Sequence, residues 1–157
     1  MIVSTDATTK IHATPERVFD VANDLENIAQ AFVGYGPIPG TVRAEVIGGG
    51  VLAQGTSRRV YTSDGHDVVE EMLVFDRATA VSYRLTGISA PFSLLVRFAR
   101  ADWTFTPTAD GTDVHWNYAF TLTSPLAWPL AAPLLQMVFQ RWMRGCLTAI
   151  ASIAEQD

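Results

Sequence analysis

Cysteine is almost missing from this 157-residue sequence: Cys146 stands alone, so no internal disulfide can form and one chain offers no thiolate metal site. Positive charge is sparse too. Eleven Lys and Arg stand against sixteen Asp and Glu, a formal net charge of −5 with no basic cluster. Nucleic acid and anionic membrane surfaces are bound through concentrated positive charge, which excludes both as the main partner. Histidine contributes only His12, His66 and His115, scattered along the chain with no His-x-x-x-His or carboxylate set at ligand spacing. Neither a metal nor a cofactor is expected. The G-x-S-x-G elbow of acyl hydrolases is absent. "GYGPIPG", Gly34 to Gly40, lacks the flanking strand, helix and Lys-Ser/Thr that a phosphate-binding loop requires, and reads as a structural loop. No long hydrophobic run occurs either. The most apolar stretch, Leu126 to Phe139, is short and broken by proline, and the first residues show no basic-then-apolar leader pattern. The expectation is a cytoplasmic chain without stable membrane insertion.

Apolar residues make up 48% of the sequence and charged ones 17%, ample material for a core that needs no staples. No repeat or linker-like shift in composition offers a seam, so residues 1–157 are expected to form a single domain.

"STDATTKIHA" predicts a first strand near Val3 to Ile11. Thr14 as N-cap, Pro15 at the first helical position and Glu16 in the first turn predict a helix whose Val18, Phe19, Ala22 and Leu25 face inward. A short second helix follows through Ile28 to Phe32, then a strand near Thr41 to Ile47. From Thr56 the chain reads as hairpins. With Asp64-Gly65 as a two-residue turn, Val60 faces Val69 and Arg59 faces Glu70. The inner face then carries Tyr61, Val68, Met72, Val74, Val81, Tyr83 and Leu85 with Arg59 and Glu70 among them, and Arg58 points outward.

Around Asp110-Gly111, pairing Ala109 with Thr112 sets Phe105 against Trp116 and Trp103 against Tyr118 on one apolar face. Asp102, Thr104, Thr106, His115, Asn117 and Thr121 fall on the solvated face. Ser124 and Pro125 open a last helical region, regular from near Pro133 to about Ala154, with Leu130, Leu134, Val138, Trp142, Cys146, Ile150 and Ile153 as its apolar stripe. Cys146 on that stripe reads as an inert buried thiol. "PLAWPLAAPLLQMVF" admits two readings: a packed helix start, or a lid or shallow membrane-docking surface around Trp128, against which its lack of Lys and Arg weighs.

With this order of elements, "TPERVFDVANDLENI", "EEMLVFDRATAVSYRL" and "ADWTFTPTADGTDVHWNYAF" resemble the START-like helix-grip superfamily (SRPBCC), and within it the polyketide cyclase/dehydrase and lipid-transport family. The resemblance implies an α+β helix-grip fold. A curved antiparallel sheet of about seven strands would wrap around a long C-terminal helix, with two short helices after strand 1 and a hydrophobic cavity open at one end. Members bind lipids, sterols, polyketides, quinones or hormones, and a minority catalyse cyclisation or dehydration. A fold does not decide among these.

The aromatic face is then either plain core or the wall of a pocket, and the resemblance favours the pocket. The residues expected to line it are Arg59, Tyr61, Glu70, Met72, Tyr83, Trp103, Phe105, Trp116, Tyr118, Val138 and Trp142. Arg59 and Glu70 are either a structural ion pair or a polar handle for a ligand hydroxyl or carbonyl. In an enzyme of this kind, Glu70 or Tyr118 would move a proton and Arg59 would polarise a carbonyl. The partner expected is thus a small hydrophobic ligand, lipid, polyketide or isoprenoid-like. A homodimer is left open.

Overall fold

Alternation shapes the first strand: in a computed structural model that describes residues 1–156, Val3, Thr5, Ala7 and Ile11 of β1 (Ile2–Ile11) are buried, half-buried Thr9 shares their face, and Ser4, Asp6, Thr8 and Lys10 point outward. Helix α1 (Pro15–Asn23) begins as its sequence dictates, with the Thr14 hydroxyl accepting from the Arg17 amide at 3.2 Å. Its Val18, Phe19 and Ala22 are buried. A single turn, α2 (Ile28–Ala31), and the Gly34–Gly40 loop lead to β2 (Thr41–Val46), β3 (Ser57–Thr62), β4 (Asp67–Asp76), β5 (Ala80–Thr86), β6 (Val96–Thr108) and β7 (Gly111–Leu122). The sheet is seven-stranded in the order β1-β7-β6-β5-β4-β3-β2, antiparallel throughout. Only the β1–β7 pairing joins distant parts of the chain.

The C-terminal helix is longer than its prolines suggest. It runs through α3 (Trp128–Pro133), a π-helical segment (Leu134–Phe139) and α4 (Gln140–Ala154). It is fastened at its C-terminal end and near its middle. Arg17 of α1 donates from Nε to the Ala154 carbonyl and from Nη2 to that of Ile153, both at 3.3 Å, which satisfies carbonyls left free at the end of α4. Upstream, Gln140 Nε2 donates at 2.8 Å to the Asp6 carbonyl of the edge strand β1.

Three hairpin registers and one helix face depart from the sequence reading. The turn after β3 has three loop residues, Ser63, Asp64 and Gly65, with Gly65 at φ +85° and the Thr62 amide donating to His66 O at 2.9 Å. This is the type I turn plus left-handed glycine that adds one residue to a hairpin. One added residue reverses the faces of β3 relative to the expectation: Arg58 pairs with Glu70 and Val60 with Val68, so Arg58 points inward and Arg59 and Tyr61 outward. A bulge between Met72 and Val74 makes a second reversal, and Phe75, in place of Val74, packs against Phe19 with ring centroids 5.2 Å apart.

In the β6–β7 hairpin the turn is Ala109-Asp110, and Trp103 faces Trp116. That register lies two residues from the expected one and leaves every side chain on its expected face. Four residues turn an α-helix by about 400°, so a strict four-residue stripe drifts about 40° per step. Trp142, Cys146 and Ile150 keep inward, whereas Leu130 is 71% exposed and Leu135 is buried in its stead. The helix start is packed only through Ala127, Ala131, Ala132 and Leu135; Leu126 and Trp128 face solvent. None of the described helices is long and apolar enough to cross a membrane.

Gly111 fixes the approach of β7 to β1, because a Cβ there would lie 2.2 Å from the Ile11 carbonyl oxygen. Gly111→Ala is expected to cost about 1–3 kcal/mol through forced strand displacement. Gly145→Ala, in a helical site with nothing near its Cβ, should stabilise by about 0.5–1 kcal/mol. Urea unfolding of the two variants checks the contrast in sign.

Candidate ligand cavity

The space between sheet and helix is filled at one end and hollow at the other. At the filled end Trp103 stacks on Trp116 with centroids 4.2 Å apart, and Phe105 stacks on Trp103. Phe19 of α1 meets Phe105 edge-on at 5.3 Å, and Phe32 after α2 meets Trp116 in the same manner. These rings make a solid core, and Trp103, Phe105 and Trp116 do not line the cavity. Met72 is buried away from it as well, and Val138 is a half-buried packing residue.

Toward β2–β5 the helix no longer fills the curve of the sheet, and a cavity of about 150 Å³ remains. Leu135, Phe139 and Trp142 form its helix wall. Val60, Val68, Leu85 and Phe120 form the sheet wall, and Ile38 and Phe92 reach in from loops. Exposed Asp64 lies at the rim, so the cavity reaches the surface beside the β3–β4 turn. Leu135, Phe139, Ile38 and Phe92 were not legible as wall residues. A π-helical segment carries the first two, and loop packing places the others.

A narrower chamber of about 40 Å³ shares Glu70, Tyr118 and Trp142 with the main cavity and adds Arg58, Tyr83 and Phe32. Here lies the polar centre of the interior. Arg58 is 4% exposed and donates from Nε to Glu70 Oε2 at 2.5 Å. Two opposite charges removed from water together avoid the cost of burying either alone. Burial by itself would lower the Arg58 pKa, but the Glu70 carboxylate together with the Tyr83 and Tyr118 oxygens outweighs it and raises the value above normal. The Tyr83 and Tyr118 hydroxyls are 3.2 Å apart, and the Trp103 indole N–H donates to Tyr83 at 3.5 Å. Burial first, then neighbouring negative charge, pushes both phenols well above their usual pKa of 10.0. The Arg58 Nη1 and the indole nitrogens of Trp116 and Trp142 are buried without a hydrogen-bond partner. Each such unpaired donor costs about 1–3 kcal/mol.

The outer-face residues take no part in this. Arg59 is paired with Asp67, and the Tyr61 hydroxyl donates to Glu45 at 2.7 Å. His115 bonds Asp6 at 2.9 Å on the solvated side, where the sequence put it. Cys146 is buried on α4, and burial pushes its thiol up, away from reactivity. Among the described residues, no group of three His, Cys, Asp or Glu could hold a metal ion.

Two measurements probe this centre. Glu70→Leu alone strands the Arg58 charge and should lose about 3–5 kcal/mol, whereas Arg58→Met/Glu70→Leu should unfold near the wild-type urea midpoint. For the phenols, folded pKa values above the unfolded 10.0 mean that the native state holds protons which the unfolded state releases. Their contribution is complete below about pH 10 and is lost as the pH rises beyond it. Absorbance of ionised tyrosine should therefore show Tyr83 and Tyr118 titrating only as the chain unfolds; their ionisation in a folded protein near pH 10 would contradict this.

Comparison with known proteins agrees with the fold. The Zhui aromatase/cyclase of a Streptomyces species superposes with a TM-score of 0.74 at 16% identity, over 99% of this chain and 94% of that one. Norcoclaurine synthase from Thalictrum flavum gives 0.73 at 14%, over 100% and 96%. A Thermus thermophilus protein gives 0.70 at 22%, over 96% of each chain. No curated protein has a matching sequence. At these identities the structures show a shared fold alone. The family model for polyketide cyclase / dehydrase and lipid transport matches residues 3–155, nearly the whole chain. The protein therefore belongs to the polyketide cyclase/dehydrase and lipid-transport family.

Proposed function

We propose that the protein binds a small hydrophobic molecule in the cavity between the sheet and the C-terminal helix. One observation carries this reading: a surface-connected hollow, walled by apolar side chains, ends at a buried ion pair and two phenols. Apolar walls with a few fixed polar groups are the usual make-up of a ligand site. The volume of about 150 Å³ suits a molecule of one or two rings; drug-sized ligands need about 300–1,000 Å³. Of the residues expected from sequence, Glu70, Tyr83, Tyr118 and Trp142 belong to this site, and Arg58 replaces Arg59 as its cation.

Purified protein, extracted and analysed by small-molecule mass spectrometry and probed with a solvatochromic dye, should carry or bind an apolar compound. Val68→Phe and Leu85→Phe narrow the cavity from the sheet side, where aromatics suit a strand, and should lower dye affinity at least tenfold while the protein stays folded. No copurifying compound, together with equal dye binding by wild type and both variants, would refute the site.

A cyclase or dehydratase acting in the same cavity is the second reading, favoured by the Glu70 carboxylate and Tyr118 hydroxyl beside Arg58. Glu70 would take a proton next to a carbonyl that Arg58 polarises. Turnover of a poly-β-ketone substrate that survives both Glu70→Gln and Arg58→Met would remove those roles.

A further inference from the structure

The two edges of the sheet differ. Along β1 the C-terminal helix closes the edge: Gln136 Nε2 donates to Ser4 O at 3.4 Å, Gln140 Nε2 donates to Asp6 O at 2.8 Å, and Glu155 accepts from the His12 amide at 2.9 Å. Nothing comparable covers β2. The Ile47 amide donates across to Ser57 O at 2.9 Å, and successive residues of a strand turn their backbone groups to opposite sides, so those of Ala44 and Val46 face away from β3. Of residues 42–46, only Val46 has a loop partner on this side, its carbonyl accepting from the Gly49 amide at 3.0 Å. Among the described residues no loop or side chain meets the Ala44 amide or carbonyl. An open edge of this kind is a template for another strand.

Side chains decide which strand fits. Arg43 and Glu45, both exposed, stand two residues apart on the outer face, 3.4 Å from each other. When two copies of β2 pair antiparallel about a two-fold axis, their outer faces stay on the same side and the residues match about one central position. Centred on Arg43 or on Glu45, such a pairing opposes like charges. Centred on Ala44, it sets Arg43 of each copy opposite Glu45 of the other, and each Ala44 amide donates to the other copy's Ala44 carbonyl. The same register brings Val42, 55% exposed, beside Val46 of the second copy. A partner strand of one charge sign would satisfy only one of the two residues. The free edge is short, bounded by a bulge between Thr41 and Arg43 at one end and by the Gly49 contact at the other.

We infer that β2 is the contact surface of a homodimer, in which two copies of this chain pair antiparallel about Ala44 and their seven-stranded sheets join edge to edge. The inference stands apart from the ligand reading, since only Thr41, at one end of the strand, lines the main cavity. So short an edge buries less than a standard interface of about 1,600 Å², and the expected association is weak, with a Kd of about 10–100 µM.

Sedimentation velocity from about 5 to 500 µM should show wild type passing from monomer to dimer, and hydrogen exchange of the Ala44 amide should slow over the same range. Arg43→Glu sets Glu against Glu at both charged positions of the dimer, and Glu45→Arg sets Arg against Arg, so each variant alone should dimerise at least tenfold more weakly. Mixed together, the two should pair again, because every such contact then joins Glu to Arg. Loss of the Arg43–Glu45 pair within the chain is common to both variants and cannot produce that recovery. Ala44→Pro deletes the central amide without touching the ladder to β3 and should leave a folded monomer. Wild type that stays monomeric at about 500 µM overturns the inference. So does a dimer that neither Ala44→Pro nor the charge reversals weaken, which would put the contact elsewhere, as on the exposed Leu126, Leu130 and Met137 of the C-terminal helical region. Weakened single variants whose mixture remains monomeric overturn the pairing about Ala44.

Discussion

A seven-stranded curved sheet presents more inward surface than one helix can cover, and the rest of this structure follows from how that excess is met. At the β1–β7–β6 end the sequence supplies large rings: Trp103, Phe105 and Trp116 from the strands, with Phe19 and Phe32 from the segments after β1. Little remains to fill. Toward β3–β5 the inward Val60, Val68 and Leu85 are smaller, and with Tyr118 and Phe120 of β7 they face the hollow in which Arg58 and Glu70 lie. Solidity and emptiness thus meet within β7, where Trp116 serves the one and Tyr118 and Phe120 the other. The anchoring of α4 by Arg17 at its end and Gln140 near its start holds the helix over that division.

The polar centre is the costly part of the interior. Its ion pair is closed on one side, Nε to Oε2, and open on the other, where Nη1 points to no acceptor. A purely structural pair would be better finished or replaced by apolar groups of similar volume. Each unpaired donor in that interior is a cost that a purely apolar filling would not carry.

Much of this was legible in the sequence, and for physical reasons. The Thr14-Pro15-Glu16 cap, the alternation through β6 and β7 and the element order depend on local rules of backbone and period, and the fold followed from them. The error of two residues at Ala109-Asp110 was harmless because side chains alternate with a period of two. The error of one at Ser63–Gly65 was not. It exchanged Arg58 for Arg59 and put Tyr61 in a site it does not touch. Asp-Gly serves both a two-residue turn and the end of a three-residue one, and only tertiary packing tells them apart. The pocket's loop residues, Ile38 and Phe92, lie outside any periodic pattern and carried no signal.

The tandem arginines at 58 and 59 give that small turn an unusual leverage. One sits inside against Glu70, the other outside against Asp67, and the strand itself carries nothing that distinguishes the two guanidiniums. Removing or adding a single loop residue near Gly65 would rotate the whole strand by half a turn and trade an interior cation for a surface one, with scarcely a change in composition. Descent within such a lineage can therefore rewrite the chemistry of the hollow through the length of the surface turn at its rim, leaving every wall residue of the helix untouched.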